Sequence, residues 1–112
     1  MSDDKSNLPL SEQYRLVGKK WVDQDNAASL LEETKTSVLS ERKAALIKHD
    51  PNLADNAAER MVRASLEWRE WVINMVNQRS AANRLKLQLK YIEMRHSEQQ
   101  SFEATRRAEM KL

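Results

Sequence analysis

The chain has 112 residues, of which 32% are charged, with one glycine, two prolines and no cysteine. This length fits one domain, and the shortage of turn-forming residues excludes a fold rich in β-strands. The lack of cysteine excludes disulfide bonds and thiolate sites, and a formal net charge of +2 does not demand a nucleic-acid partner. Residues that lose little side-chain freedom in a helix dominate the composition, which predicts an all-α protein.

The first ten residues precede the first predicted helix. They lack the basic and apolar regions of a secretory signal peptide, so we expect residues 1–10 to be a disordered lead-in. Ser11 has the side chain of an N-cap, and Glu12 would follow it in the first turn, where a negative charge suits the helix dipole. The sequence therefore predicts a single helical domain over residues 11–112.

Helix 1 is predicted over about residues 11–48, and a turn over residues 49–55. The residue before a proline disfavours helix, so Pro51 should end this element. An alternative is a break near residues 22–26, because Gly18 weakens a helix interior and aspartates that could cap a new helix follow it.

Helix 2 is predicted over about residues 56–112. Asn56 and Glu59 resemble a capping box, and Asp55 is an alternative cap. Neither proline nor glycine occurs from this point to the end of the chain. We therefore expect one long, unbroken helix.

Heptad spacing of apolar residues runs along both predicted helices. The predicted seam of helix 1 is Leu10, Tyr14, Val17, Trp21, Gln24, Ala28, Leu31, Lys35, Val38, Arg42 and Ala45. The predicted seam of helix 2 is Met61, Ala64, Trp68, Trp71, Met75, Gln78, Ala82, Leu85, Leu89 and Ile92.

Folding the chain back at the turn brings these two seams opposite each other, which predicts an antiparallel, coiled-coil-like hairpin. In this register the large Trp21 lies opposite the small Ala82, and Gln24 lies opposite Gln78. Trp68 and Trp71 fall on the seam, so we interpret them as core residues and not as a stacking platform for nucleic-acid bases. Helix 2 should overhang helix 1 beyond about residue 93.

A second apolar row on helix 2 is left over when the hairpin closes. Its members are Val62, Leu66, Ile73, Val76, Leu87 and Met94. Two helices bury only one stripe each, so this row requires a partner. A homodimer that forms a four-helix bundle is the simplest solution, and binding to a different protein is the alternative.

Basic residues accumulate towards the end of helix 2. Arg84, Lys86, Lys90 and Arg95 could contact nucleic-acid phosphates, which predicts a nucleic-acid-binding accessory protein as an alternative function. The competing interpretation is a solvated helix face whose charges are balanced by nearby glutamates.

Sites for catalysis, metals and cofactors find no support in the sequence. His49 and His96 each lack a second ligand at metal-binding spacing, and a single glycine excludes phosphate-binding loops of the Walker or Rossmann type. No run of apolar residues is long enough to span a membrane. We therefore expect a protein that is not an enzyme, has no cofactor or metal and does not span a membrane.

Three stretches carry a resemblance to known proteins: "KWVDQDNAASLLEETKTSVLSERKAAL", "SLEWREWV" and "KLQLKYIEMRHSEQQSFEATRRAEMKL". Together they resemble a family of small helical proteins carried by bacteriophages and prophages of proteobacteria. The resemblance covers residues 11–112 and implies a phage protein that acts in the bacterial cytoplasm. The family has no defined activity to carry over.

A second, architectural resemblance is to the small secreted helical hairpins that carry Trp-x-Gly in their turn. Those proteins also have Tyr-x-x-x-Asp/Glu after the second helix. Here the turn reads "HDPNLAD", and Tyr91 is followed four residues later by Arg95. Both motifs are missing, so this secreted type ranks below the phage family.

Overall fold

The computed structural model describes residues 7–111. Within them the chain forms three α-helices and no strand: α1 (Leu10–His49), α2 (Asp55–Ala64) and α3 (Leu66–Met110). The prediction of an all-α protein is confirmed. Residues 1–6 of the predicted lead-in lie outside the described residues. Immediately after them, the Pro9 carbonyl already accepts hydrogen bonds from the N–H groups of Glu12 and Gln13.

Helix α1 continues without interruption through residues 22–26, so the alternative of a break there is wrong. A Cβ atom on Gly18 would lie 3.9 Å from the Leu89 Cδ2 atom, which is ordinary van der Waals contact. The helix ends at His49, as the proline at position 51 predicts. In the turn, Asp50 accepts the N–H of Asn52 on its side chain and the N–H of Leu53 on its carbonyl.

The predicted second helix is in fact two helices, because the backbone of Ser65 is extended at φ −73° and ψ 151°. The Ser65 Oγ atom donates to the Val62 carbonyl at 2.6 Å and accepts the Trp68 N–H at 3.2 Å. One hydroxyl therefore closes α2 and caps α3. The prediction of an unbroken helix over residues 56–112 is wrong. It treated proline and glycine as the only signals for a break.

The chain divides into two compact units. The described part of the first, which we call the terminal unit, contains residues 7–23 and 82–111. The second, the turn unit, contains residues 24–81. Each unit includes part of α1 and part of α3, and each has its own hydrophobic core.

In the terminal unit, α1 packs against α3 through Val17, Leu89 and Ile92. Three partly buried residues surround this cluster: Leu10, Trp21 and Leu85. All six belong to the predicted seams, so the seam prediction is confirmed here. Leu8 and Pro9 share a groove with Glu98 and Phe102, so the N-terminal segment reaches further along α3 than the predicted end of the overlap near residue 93.

The core of the turn unit combines Leu39 of α1, Val62 of α2 and Trp68 of α3. Four partly buried residues pack against it: Val38, Leu46, Trp71 and Val72. Near the turn, the buried positions differ by one residue from the predicted seams. Leu39 is more buried than Val38, and Val62 is buried while Met61 is exposed.

Helix geometry explains this one-residue shift. A straight α-helix has about 3.6 residues per turn and drifts by about 20° per heptad from an exact repeat of 3.5. Along α1, this drift moves the buried face from Ala28 to Leu39, eleven residues later. The buried position of α2 differs by one residue from the predicted seam in the same way: Val62 faces the core in place of Met61.

Candidate functional site

The outer side of α3 carries exposed apolar residues opposite its buried side. Trp68, Ala82 and Leu89 are buried at heptad spacing. A second row at the same spacing is offset from them by two residues, a rotation of about 200°. Its apolar members, Leu66, Ile73, Leu87 and Met94, are all more than half exposed. Helix α3 is therefore apolar on two opposite sides.

One member of the predicted partner surface does not belong to it. Val62 is only 4% exposed and lies in the core of the turn unit. The prediction assumed that Val62 and Leu66 share one continuous helix and hence one face. Because Ser65 separates α2 from α3, the two residues lie on different helices, and Val62 faces inward.

In the turn unit, the exposed row consists of Leu66, Ile73 and Val76. We call these three apolar residues the acidic strip, after the charged residues that lie among positions 66–76. Those charged residues are Glu67, Glu70 and Arg69, and together they carry a net negative charge. All three charged residues are exposed.

In the terminal unit, the exposed row consists of Leu87, Tyr91 and Met94. We call these three residues the basic strip. Arg84 and Lys90 line an open groove of about 530 Å³ together with these apolar residues. The sequence prediction missed Tyr91, which lies four residues after Leu87 on the same side of the helix, a spacing that could have revealed it.

The four basic residues proposed as nucleic-acid contacts are all exposed, but they do not lie on one side of α3. At about 100° per residue, Arg84 and Arg95 lie on one flank of the basic strip, and Lys86 and Lys90 lie on the other. The acidic residue in this stretch, Glu93, accepts a hydrogen bond of 2.9 Å from the hydroxyl of Tyr14 on α1. The basic strip is therefore an apolar surface with cations on both flanks.

The two units differ in charge. The described residues of the terminal unit include ten basic and six acidic side chains, whereas the turn unit has eight basic and nine acidic ones. The small net charge of the chain therefore conceals a positive unit and a nearly neutral one. Like charges repel and opposite charges attract at close range. The difference in charge between the two units therefore affects which surface of this protein a charged partner can approach.

A second open groove, of about 490 Å³, lies in the turn unit where α2 ends. Its apolar lining includes Leu46, Met61 and Val62, and Arg42 and Glu67 also line it. Ser65, which separates α2 from α3, also lines it. Its open form and the scarcity of polar groups do not suit a specific small-molecule site, which would need convergent polar contacts.

Arg79 forms the densest polar cluster of the described residues, and the sequence prediction missed it. Its guanidinium donates to Asp25 Oδ1 at 2.6 Å, to both carboxylate oxygens of Glu32 at 2.8 and 2.9 Å, and to Ser29 Oγ at 3.1 Å. The spacing of residues 25, 29 and 32 along α1 places them on one side of the helix. In the sequence, this row of polar residues on α1 opposite a single arginine on α3 could have indicated the cluster.

A second polar pair next to this cluster confirms a sequence prediction. Gln24 Nε2 donates to Gln78 Oε1 at 2.5 Å and to the Gln78 carbonyl at 3.1 Å. Both amides are half-buried, so their hydrogen bonds favour one alignment of α1 and α3 in the turn unit over shifted ones. Arg79 and Gln78 together connect these two helices through four side chains of α1.

We predict that the Arg79 cluster makes the stability of the protein depend on acid. The hydrogen bond from Arg79 lowers the pKa of Glu32 below its ordinary value of 4.5. A carboxyl whose pKa is lowered by folding stabilises the folded state above its unfolded pKa, and this contribution is lost as the pH falls through the folded value. The urea midpoint of the wild type should therefore fall more steeply between pH 5 and pH 3 than that of Glu32→Gln.

The matched control for this prediction is Glu33→Gln, which removes an adjacent exposed carboxylate outside the Arg79 cluster. Its urea midpoint should follow the wild type across the same pH range. Identical pH profiles for Glu32→Gln and the wild type would contradict the assignment of acid sensitivity to this ion pair. Added salt should reduce the difference, because all of these groups are partly exposed.

The two tryptophans of α3 lie in the core of the turn unit. Trp68 is buried, Trp71 is half-buried, and their rings stack with centroids 5.4 Å apart and an interplanar angle of 10°. Each ring therefore covers a face of the other. This arrangement agrees with the prediction that they anchor the fold and does not suit a platform for bases, which would need an open aromatic face.

Among residues 7–111, no group of three or more His, Asp and Glu side chains is arranged to hold a metal ion. His49 and His96 are both exposed, and His96 lines a small groove of about 300 Å³ with Leu10, Tyr14 and Ile92. No described helix is long and apolar enough to cross a membrane.

Comparison with protein-family models, with curated proteins and with solved structures finds no match for this chain.

Proposed function

We propose that this chain is a non-enzymatic helical hairpin that acts by self-association and protein–protein contact. The observation that supports the proposal is the outer side of α3. Five of its apolar residues are more than half exposed: Leu66, Ile73, Val76, Leu87 and Met94. Exposed apolar side chains at regular helical spacing are typical of a helix that packs against a further helix.

The simplest assembly is a homodimer in which the outer sides of two α3 helices meet, so that two hairpins form a four-helix bundle. A second copy of the chain is present wherever the first is, and it can cover the exposed apolar row of α3 without another protein. Another phage or host protein remains the alternative partner. The phage or prophage setting, in the cytoplasm of a bacterial host, rests on the resemblance of residues 11–112 to that family.

The proposal predicts a dimer in solution that depends on the basic strip. Sedimentation equilibrium at micromolar concentrations should give twice the chain mass for the wild type. The double variant Leu87→Glu with Met94→Glu should raise the dimer dissociation constant by at least about tenfold, because burying two carboxylates in an apolar interface costs more than about 1.4 kcal/mol.

A matched control places the same two charges on α1, in the variant Val22→Glu with Leu30→Glu. Both residues are exposed, and both belong to α1 and not to α3. Its dissociation constant should stay close to that of the wild type. A wild-type chain that sediments as a monomer at these concentrations would contradict self-association.

The nucleic-acid alternative stays a prediction. It requires that Arg84, Lys86, Lys90 and Arg95 contact phosphates, and their exposure permits this. Their position on two flanks of an apolar strip favours a partner with an apolar centre over a phosphate backbone. Binding of a DNA duplex that weakens steeply with salt, and that is lost when the four residues are replaced by glutamine, would favour this alternative.

A further inference from the structure

The basic strip has the spacing of a coiled-coil seam. Leu87, Tyr91 and Met94 follow one another at intervals of four and three residues, and each is more than half exposed. This alternation keeps apolar side chains in line along a helix and suits knobs-into-holes packing against one further helix. On the same side of α3, Arg84 lies before the strip and Glu98 lies after it. A partner helix therefore needs an apolar row of about two heptads to cover the strip.

The residues that border this seam are cationic or neutral. Lys90 borders it on one side, and Gln88 and Arg95 border it on the other. In a coiled coil, the bordering residues of two helices contact each other, and their charges select the partner. The acidic residue of this stretch, Glu93, lies further round the helix, where it accepts a hydrogen bond of 2.9 Å from the Tyr14 hydroxyl. The borders of the strip therefore attract carboxylates.

A second copy of the same strip matches these borders less well. Two parallel copies would bring Lys90 of one beside Arg95 of the other, and two antiparallel copies would bring each cation beside its own counterpart. In both orientations cation meets cation, which opposes the attraction between the apolar seams. A helix that carries carboxylates at its bordering positions replaces each of these repulsions by an attraction.

We propose that the basic strip is the docking site for an acidic amphipathic helix of another protein, with an apolar seam bordered by glutamate or aspartate. This proposal rests on the protein–protein contact of the proposed function and names the chemistry of the partner. It does not require self-association, and the acidic helix would displace a second copy from the strip. A nucleic acid offers phosphates but no apolar seam, whereas the open groove of about 530 Å³ suits the protruding side chains of a helix.

The test uses three synthetic peptides of about three heptads with leucine along the seam. They differ only at the bordering positions, which carry glutamate, glutamine or lysine. Each labelled peptide is titrated with the full chain, and fluorescence anisotropy gives the dissociation constant. At low salt the glutamate peptide should bind at least about tenfold more tightly than the lysine peptide, with the glutamine peptide between them. At high salt the three constants should converge, because the bordering charges are exposed.

Charge reversal on the strip distinguishes a local contact from general attraction. The variant Lys90→Glu with Arg95→Glu should prefer the lysine peptide. Its matched control is Lys19→Glu with Arg107→Glu, which changes the net charge by the same amount at two exposed positions of the terminal unit. The control should keep the wild-type order, and circular dichroism checks that both variants fold. A control that also reverses the order would overturn the proposal, because net charge alone would then select the peptide.

Equal binding of the three peptides at low salt would also overturn the docking site. So would tighter binding of duplex DNA, or of vesicles of phosphatidylcholine with phosphatidylglycerol, than of the glutamate peptide at the same salt. Sedimentation equilibrium separates this proposal from self-association. A chain that is monomeric alone but prefers the glutamate peptide would contradict the homodimer and support the docking site. A dimer that shows no preference among the peptides would contradict the docking site alone.

Discussion

Replacing Trp68 with alanine is expected to lower the free energy of unfolding by about 3–5 kcal/mol. The Trp68 side chain is 5% exposed and packs with Leu39 of α1 and Val62 of α2. Its ring also stacks on Trp71. The substitution therefore leaves a cavity at the point where all three helices meet, and it removes the contact that covers the Trp71 ring.

Urea denaturation followed by circular dichroism, at one fixed protein concentration, measures this loss. The matched control is Phe102→Ala, which removes an aromatic ring that is 69% exposed on the same helix. The control should change the stability by no more than about 0.5 kcal/mol. A loss of only a few tenths for Trp68→Ala would contradict the assignment of Trp68 to the core and return it to the candidates for a binding surface.

The second large effect is expected from Ala82→Leu. Ala82 is fully buried in α3, one heptad before Leu89 of the terminal core. Three additional carbon atoms have no space there unless α1 moves away. Overpacking of this kind costs about 1–3 kcal/mol. Alanine and leucine have similar helix propensities, so the loss would report packing and not helix formation.

Ala104→Leu is the control for this experiment, because Ala104 is exposed on the same helix. It should leave the urea midpoint of the protein close to the wild-type value. If Ala82→Leu proved as stable as the control, the close approach of α1 and α3 at this level would be wrong. The sequence predicts this approach from the large Trp21 opposite the small Ala82, and the burial of Ala82 agrees with it.

These two substitutions probe the part of the fold that heptad spacing predicted well. The seam of α3, with Trp68, Ala82, Leu89 and Ile92, is buried as predicted. Spacing works here because a long helix without glycine or proline presents one face to its neighbour over many turns. The Gln24–Gln78 hydrogen bond follows from the same spacing, since polar residues in an apolar seam need each other as partners.

Prediction failed near the turn, where a local signal and a tertiary one act together. Ser65 was the local signal, because serine caps helices whether or not a proline or glycine is nearby. The consequence for Val62 could not be found locally. Whether α2 turns Val62 or Met61 inward depends on where the drifting face of α1 lies at that level, and Leu39 shows that it has moved by one residue.

The polar contacts between helices form a third group. Arg79 donates four hydrogen bonds to α1, and the Tyr14 hydroxyl donates one to Glu93. Surface charges of this kind occur throughout the sequence, and their pairing is weakly specified by composition. Only the alignment of α1 with α3 in each unit selects which of them meet.

The sequence by itself therefore determined the helical class, the end of α1 at the turn, the seam of α3 and the presence of a second apolar row. All of these depend on spacing within one helix or on residues that stop a helix. The tertiary structure decided the burial of Val62 in place of Met61 and the pairing of Arg79 with three side chains of α1. These depend on where one helix lies against another, because the rotation of each helix about its axis is set by the packing of its neighbours and not by its own residues alone.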